Sequence, residues 1–150
     1  MDKNIRGNII IRDFRTEEYR SLVKMWKEAD LPYKPEGRDS REKLEAELGR
    51  GIGSLLVAEL NGTLCGSVLV THDGRKGWIN RLAVLPDLRR RGLAERLISE
   101  AQKRLDREGI EITAALIEDD NPSSAHFFRK LGFVEHCDIT YFTRRKCPGV

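Results

Sequence analysis

Apolar residues along the chain recur with a helical period in the first third and with a strand period in the middle. Isoleucines crowd Asn8 to Phe14, a first strand. Thr16 then reads as a helix N-cap with Glu17 and Glu18 in the first turn, and Tyr19, Leu22, Val23, Trp26 and Ala29 recur along one helix face. Pro32, Pro35 and Gly37 end that helix and make Leu31 to Arg38 a loop. Asp39 and Glu42 form a capping-box pattern for a second helix, where Leu44 and Leu48 face one way until Gly49 and Gly51.

From Ser54 the pattern predicts three antiparallel strands: Ser54 to Leu60, Thr63 to Thr71 and Gly77 to Leu85. Asn61-Gly62 and Asp73-Gly74 between them accept the positive φ angles of tight hairpins. Ala94, Leu97, Ile98, Ala101 and Leu105 stripe a long helix closed by Gly109, and Ile110 to Ile117 is an apolar strand. Asn121 and Pro122 open a helix carrying Ala125, Phe127, Phe128 and Leu131, which stops at Gly132. Phe133 to Cys137 and Ile139 to Arg144 read as two closing strands, and Lys146 to Val150 as a flexible tail. The expected fold is α/β (α+β): a central mixed, mostly antiparallel sheet of about seven strands flanked by about four helices.

The 150 residues fit a single domain, and the content of 39% apolar and 34% charged residues is globular. A net charge of +3 is too small for a dedicated nucleic-acid binder. The basic runs Arg89-Arg90-Arg91 and Arg144-Arg145-Lys146 nonetheless define a rival phosphate-surface reading with strongly salt-dependent binding. Cys65, Cys137 and Cys147 lack any Cys-x-x-Cys spacing, so neither a disulfide framework nor a metal site is expected, and a reducing compartment fits. Met1 to Arg6 has no apolar signal region and no run reaches the ~18 apolar residues of a membrane span. We therefore expect a soluble, cytoplasmic protein with neither nucleic acid nor membrane as partner.

The stretch from Val84 through Pro86, Arg89, Arg90, Arg91 and Gly92 to Ala94 runs from an apolar strand through a proline stop and a basic glycine turn into a helix. Amides at a helix N-terminus lack intrahelical partners and sit at the positive end of the helix dipole, so this is an anion cradle. The Gly-Lys-Ser/Thr ending of a nucleotide-triphosphate loop is absent.

Two segments resemble the GNAT superfamily of acetyl-coenzyme A-dependent N-acetyltransferases. Leu82-Ala83-Val84-x-Pro86 followed by Arg89-Arg90-Arg91-Gly92-Leu93-Ala94 is similar to its pyrophosphate motif, and Asn121 to Phe133 to its second cofactor motif. The resemblance implies that pantetheine pairs with the main chain of Leu82, Ala83 and Val84. It implies that amides from Arg90 to Ala94 hold the pyrophosphate beside Arg89, Arg90 and Arg91. It also places Gly92, Leu93, Asn121 and Phe128 against acetyl-coenzyme A, with no metal required. The implied reaction is transfer of acetyl to a primary amine by direct attack in a ternary complex, and the implied assembly is a homodimer.

Such chemistry needs an amine freed of its proton, since an alkyl ammonium has a pKa near ~10.4, together with oxyanion stabilisation, for which the Val84 N–H is the candidate, and a proton for the thiolate. The sequence departs from the family pattern twice. Phe128 stands where many relatives carry the tyrosine that protonates the thiolate, and Asn80 and Arg81 stand where many carry a glutamate base. Tyr141 is the candidate for the missing hydroxyl and Asn80 for holding water or substrate. For the acceptor, Tyr33 and Glu36 on the proline-flanked loop are the candidates, whereas Trp26 is assigned to the core. His72 and His126 are read as solvent-facing, and Glu118-Asp119-Asp120 as support for the following helix cap. The alternative is a coenzyme A-binding protein with little or no catalysis, motivated by Phe128 and Asn80.

Overall fold

The structure is a computed structural model describing residues 8–148 and 150. The expectations for Met1 to Arg6 and for Gly149 lie outside the described residues. The described residues form five strands and four helices in the order β1 (Ile9–Asp13), α1 (Tyr19–Glu28), α2 (Arg41–Gly49), β2 (Gly53–Leu60), β3 (Thr63–His72), β4 (Lys76–Val84), α3 (Leu93–Arg107), β5 (Ile112–Ala115) and α4 (Pro122–Lys130). The sheet order is β1-β2-β3-β4-β5, antiparallel throughout except for the parallel β4–β5 pair.

Both hairpins follow from their turn residues. Asn61 and Gly62 take φ of 51° and 80°, which lets Leu60 pair directly with Thr63. In the second hairpin the Asp73 carboxylate accepts the amides of Arg75 and Lys76 at 2.9 and 2.8 Å.

Strand alternation divides the interior into two cores. Leu56, Ala58, Val68, Val70 and Ile79 face α3 and Phe128 of α4, whereas Leu55, Val57 and Leu69 face α1 and α2. α3 lies close on the sheet because Gly77 has no side chain: a methyl there would meet Leu105 Cδ1 at 2.5 Å.

β4 breaks its own alternation. Ser67 pairs with Ala83 and Leu69 with Asn80, so Arg81 and Leu82 together oppose Val68. This bulge reverses the faces: Ile79 packs in the α3 core and Ala83, four residues on, in the opposite one.

Several expectations need correction. Thr16 does not cap α1 but opens a 3-10 turn (Thr16–Glu18), and the α1 N-cap is Glu18. The second helix is capped by Ser40, whose hydroxyl accepts the Lys43 amide at 3.4 Å, because Asp39 is engaged elsewhere. The strand expected over Ile110 to Ile117 contracts to β5, whose pairing with β4 spans Ile112 to Ala115 alone. The two closing strands over Phe133 to Cys137 and Ile139 to Arg144 do not form, giving five strands among the described residues rather than the seven expected. Their apolar residues are real strand formers, but the chain finds no neighbouring backbone: Val134, Ile139, Tyr141 and Phe142 are all exposed.

Candidate active site

At the end of β4 the Leu85 amide donates to Cys65 O, and a 3-10 turn (Pro86–Leu88) buries Leu88. Arg89 then folds back, its Nε donating to Val84 O at 3.0 Å and its Nη2 to Ala29 O at 2.8 Å. Its guanidinium thus ties the turn to β4 and to the end of α1. Arg90 and Gly92 adopt left-handed φ of 60° and 77°, and Gly92 is the N-cap of α3.

The Arg89 amide donates to Pro86 O and the Arg96 amide to Gly92 O. Between them, among the described residues, the amides of Arg90, Arg91, Gly92, Leu93, Ala94 and Glu95 have no acceptor in the protein. A run of free N–H groups at the positive end of a helix, flanked by the cationic side chains of Arg90 and Arg91, suits a polyanion such as a pyrophosphate.

This cradle adjoins an open strand edge. The parallel ladder ends at Ile79–Ala115, so beyond it, among the described residues, β4 has β3 as its sole strand neighbour while the chain after β5 leads on to α4. Leu82, Ala83 and Val84 lie on that stretch, where an extended amide-bearing ligand can add as a strand. Across the gap the Asn121 Oδ1 accepts the Ser124 amide at 3.1 Å and caps α4.

Phe128 is 7% exposed, edge-on to Phe127 and Phe133 with centroids at 5.3 and 5.0 Å. Asn80 is exposed on β4, and its side chain makes no hydrogen bond among the described residues. Tyr141 lies exposed on the unpaired segment after α4. Tyr33 is half-buried, its ring 6.1 Å from that of Trp26, which is fully buried as a core residue. His72 Nδ1 accepts the Gly74 amide in its turn, and His126 is exposed. The structure therefore brings together the glycine turn and the end of β4, with Tyr33 on the α1–α2 side and Tyr141 on the unpaired segment after α4.

Sequence reasoning missed the polar group between these two sides. Arg81 pairs with Asp39 through contacts of 2.7 and 2.5 Å and donates to Pro32 O at 2.7 Å. The local signal was an arginine set between Ile79 and Leu82 in an apolar strand, but its partner is 42 residues away. Burial, with help from the Asp39 charge, raises the Tyr19 hydroxyl above its ordinary pKa, and Glu47 is raised in the same way. Burial also pushes the Cys65 thiol up to about 11, leaving it unreactive at neutral pH. Among the described residues no cluster of three or more His, Cys, Asp or Glu could hold a metal, and no helix is long and apolar enough to cross a membrane.

The family model for the acetyltransferase (GNAT) family matches residues 12–133. The chain belongs to the GNAT acetyltransferase family. Solved structures carry the same fold at low identity. The aminoglycoside N-acetyltransferase AAC(6')-Iy in complex with coenzyme A superposes with a TM-score of 0.76 at 22% identity, over 94% of this chain and 97% of that one. PaiA N-acetyltransferase from Thermoplasma acidophilum, also with coenzyme A, gives 0.74 at 22% identity, over 83% and 88%. A predicted acetyltransferase from Clostridium acetobutylicum with acetyl-coenzyme A gives 0.74 at 14% identity, over 91% and 96%. In this GNAT chain the family match ends at Phe133, where the unpaired segment begins.

Proposed function

We propose that the protein transfers acetyl from acetyl-coenzyme A to a primary amine by direct attack within a ternary complex. The observation that carries this reading is the run of unpartnered amides from Arg90 to Glu95 beside the open edge of β4. In it, those amides with Arg90 and Arg91 hold the pyrophosphate, and Leu82 to Val84 pair with pantetheine. Asn121 bounds the pantetheine end, and the Val84 N–H faces the developing oxyanion. Arg89 acts by fixing the turn, since its donors are committed to Val84 and Ala29. The amine enters from the Tyr33 side and loses its proton to water or to a group on the acceptor. The thiolate departs without help from Phe128, whose ring carries no proton to give.

Burial of Phe128 among aromatic rings also favours a second reading, a coenzyme A-binding protein with little catalysis. Thiol release over a panel of spermidine, kanamycin and lysine peptides separates the two. Saturable release with any amine supports acetyl transfer; acetyl-coenzyme A binding without release supports the second reading.

We further propose a homodimer formed through the segment after α4. Its support is the exposure of Val134, Ile139, Tyr141 and Phe142 together with the free outer edge of β5. The acidic Glu111, Glu118, Asp119 and Asp120 around β5 complement Arg144, Arg145 and Lys146 on that segment.

A further inference from the structure

We propose that Arg81 and Asp39 are positioning residues that moor the loop between α1 and α2 to the bulge of β4, setting the acceptor wall against the cofactor strand. The catalytic consequence rests on the acetyl-transfer reading.

The mooring begins in the backbone. In a regular strand Arg81 would share a face with Ile79 and point towards α3. At φ 52° within the bulge it turns instead to the α1–α2 face, where its guanidinium lies 5.7 Å from the Trp26 ring centroid. Such a φ is costly for a non-glycine residue and persists when its surroundings hold it. They do so here: the Arg81 carbonyl accepts the fully buried Ser67 hydroxyl at 2.8 Å, and that hydroxyl accepts Trp26 Nε1–H at 2.9 Å.

From this fixed base the side chain reaches the loop at both ends. Nη1 donates to Pro32 O, and Nη2 donates to both carboxylate oxygens of Asp39. Asp39 passes the constraint on: its Oδ2 accepts the Lys34 amide at 2.8 Å, and its carbonyl accepts the Tyr19 hydroxyl at 2.6 Å. Arg38 Nε is 3.9 Å from the same carboxylate. Tyr33 sits between the two anchor points, on the loop we assign to the acceptor.

Buried pairs of this kind add little net stability compared with apolar residues of similar size, whereas they fix geometry tightly. One residue after Arg81 begins the Leu82 to Val84 stretch, so a shift at the pair displaces the acceptor wall relative to the thioester. Misplacement of about 1 Å is enough to cost up to about a hundredfold in rate.

The test is the apolar double variant Arg81→Met/Asp39→Leu, with Arg81→Lys alongside. The readouts are melting temperature, acetyl-coenzyme A affinity, steady-state kinetics with the best amine of the panel, and hydrogen exchange of residues 31–39. We expect the double variant to fold and bind acetyl-coenzyme A within about twofold of wild type, while KM for the amine rises about tenfold or more and exchange in the loop speeds up. Arg81→Lys should behave alike, because one ammonium cannot replace a planar fork bonded to two partners. Kinetic constants unchanged per folded molecule, or loop exchange unchanged, overturn the proposal. If wild type acetylates no amine, the transfer reading fails by itself, and loop exchange alone then decides the mooring.

Discussion

Gly92 holds φ at 77°, and a Cβ at this position would have Glu95 Oε2 as its nearest neighbour, a full 4.0 Å away. A side chain there is therefore resisted by the backbone and not by crowding, a cost of about 1–3 kcal/mol for a non-glycine residue. Gly92→Val should fold with a lowered melting temperature and bind acetyl-coenzyme A at least about tenfold more weakly, because the branched side chain displaces the amides it belongs to. Calorimetric titration checks this, and undiminished affinity in a folded variant would reject the cradle. Glu47 offers a second residue-level expectation. It lies half-buried in α2, one turn on from Leu44, and its carboxylate makes no hydrogen bond or ion pair among the described residues. Its folded pKa lies above the ordinary value, first through desolvation and then through Asp39. The folded state thus holds the proton more tightly than the unfolded chain, so ionised Glu47 costs stability above its folded pKa and nothing below its unfolded one. Glu47→Gln should melt higher than wild type at pH 7, and the difference should close as pH is lowered through the carboxylate range. A constant difference across that range would contradict this assignment.

At the scale of elements, α4 was legible because its signals are local: Asn121 caps it, Pro122 tolerates the first turn, and Gly132 exits at φ 89°. Asn121→Ala should cost about 1 kcal/mol by loss of the bond to the Ser124 amide, read as a melting shift of about 2–4 °C. The aromatic contacts that clamp α4 through Phe128 carry a different prediction. Phe128→Tyr places a hydroxyl among Phe127 and Phe133, where an unsatisfied group costs about 1–3 kcal/mol. The variant should melt lower and show no gain in thiol release, and a gain would place the ring closer to the thioester than this packing does. The bulge of β4 was illegible for the opposite reason. Nothing local marks Arg81 and Leu82 as an extra residue against Val68; the conformation is held by Ser67, Trp26 and Asp39 from three other segments.

For the whole molecule, the five-stranded sheet leaves the β5 edge and the apolar residues of the following segment open together. If these surfaces meet between two copies, sedimentation should show a dimer, and Val134→Asp/Phe142→Asp should give a folded monomer that still binds acetyl-coenzyme A. A monomeric wild type would dismiss the dimer. The sequence by itself determined the order of elements as far as α4, the two hairpins, the stripe of α3 and the glycine turn before it. Each of these depends on dihedral preference or periodicity within a few neighbouring residues. Tertiary structure alone decided that the closing segment stays unpaired, since strand propensity forms no ladder without an adjacent backbone. It alone committed Arg89 to Val84 and Ala29, and it alone joined Arg81 to Asp39, because the partners of these charges are brought near by the sheet and not by the chain.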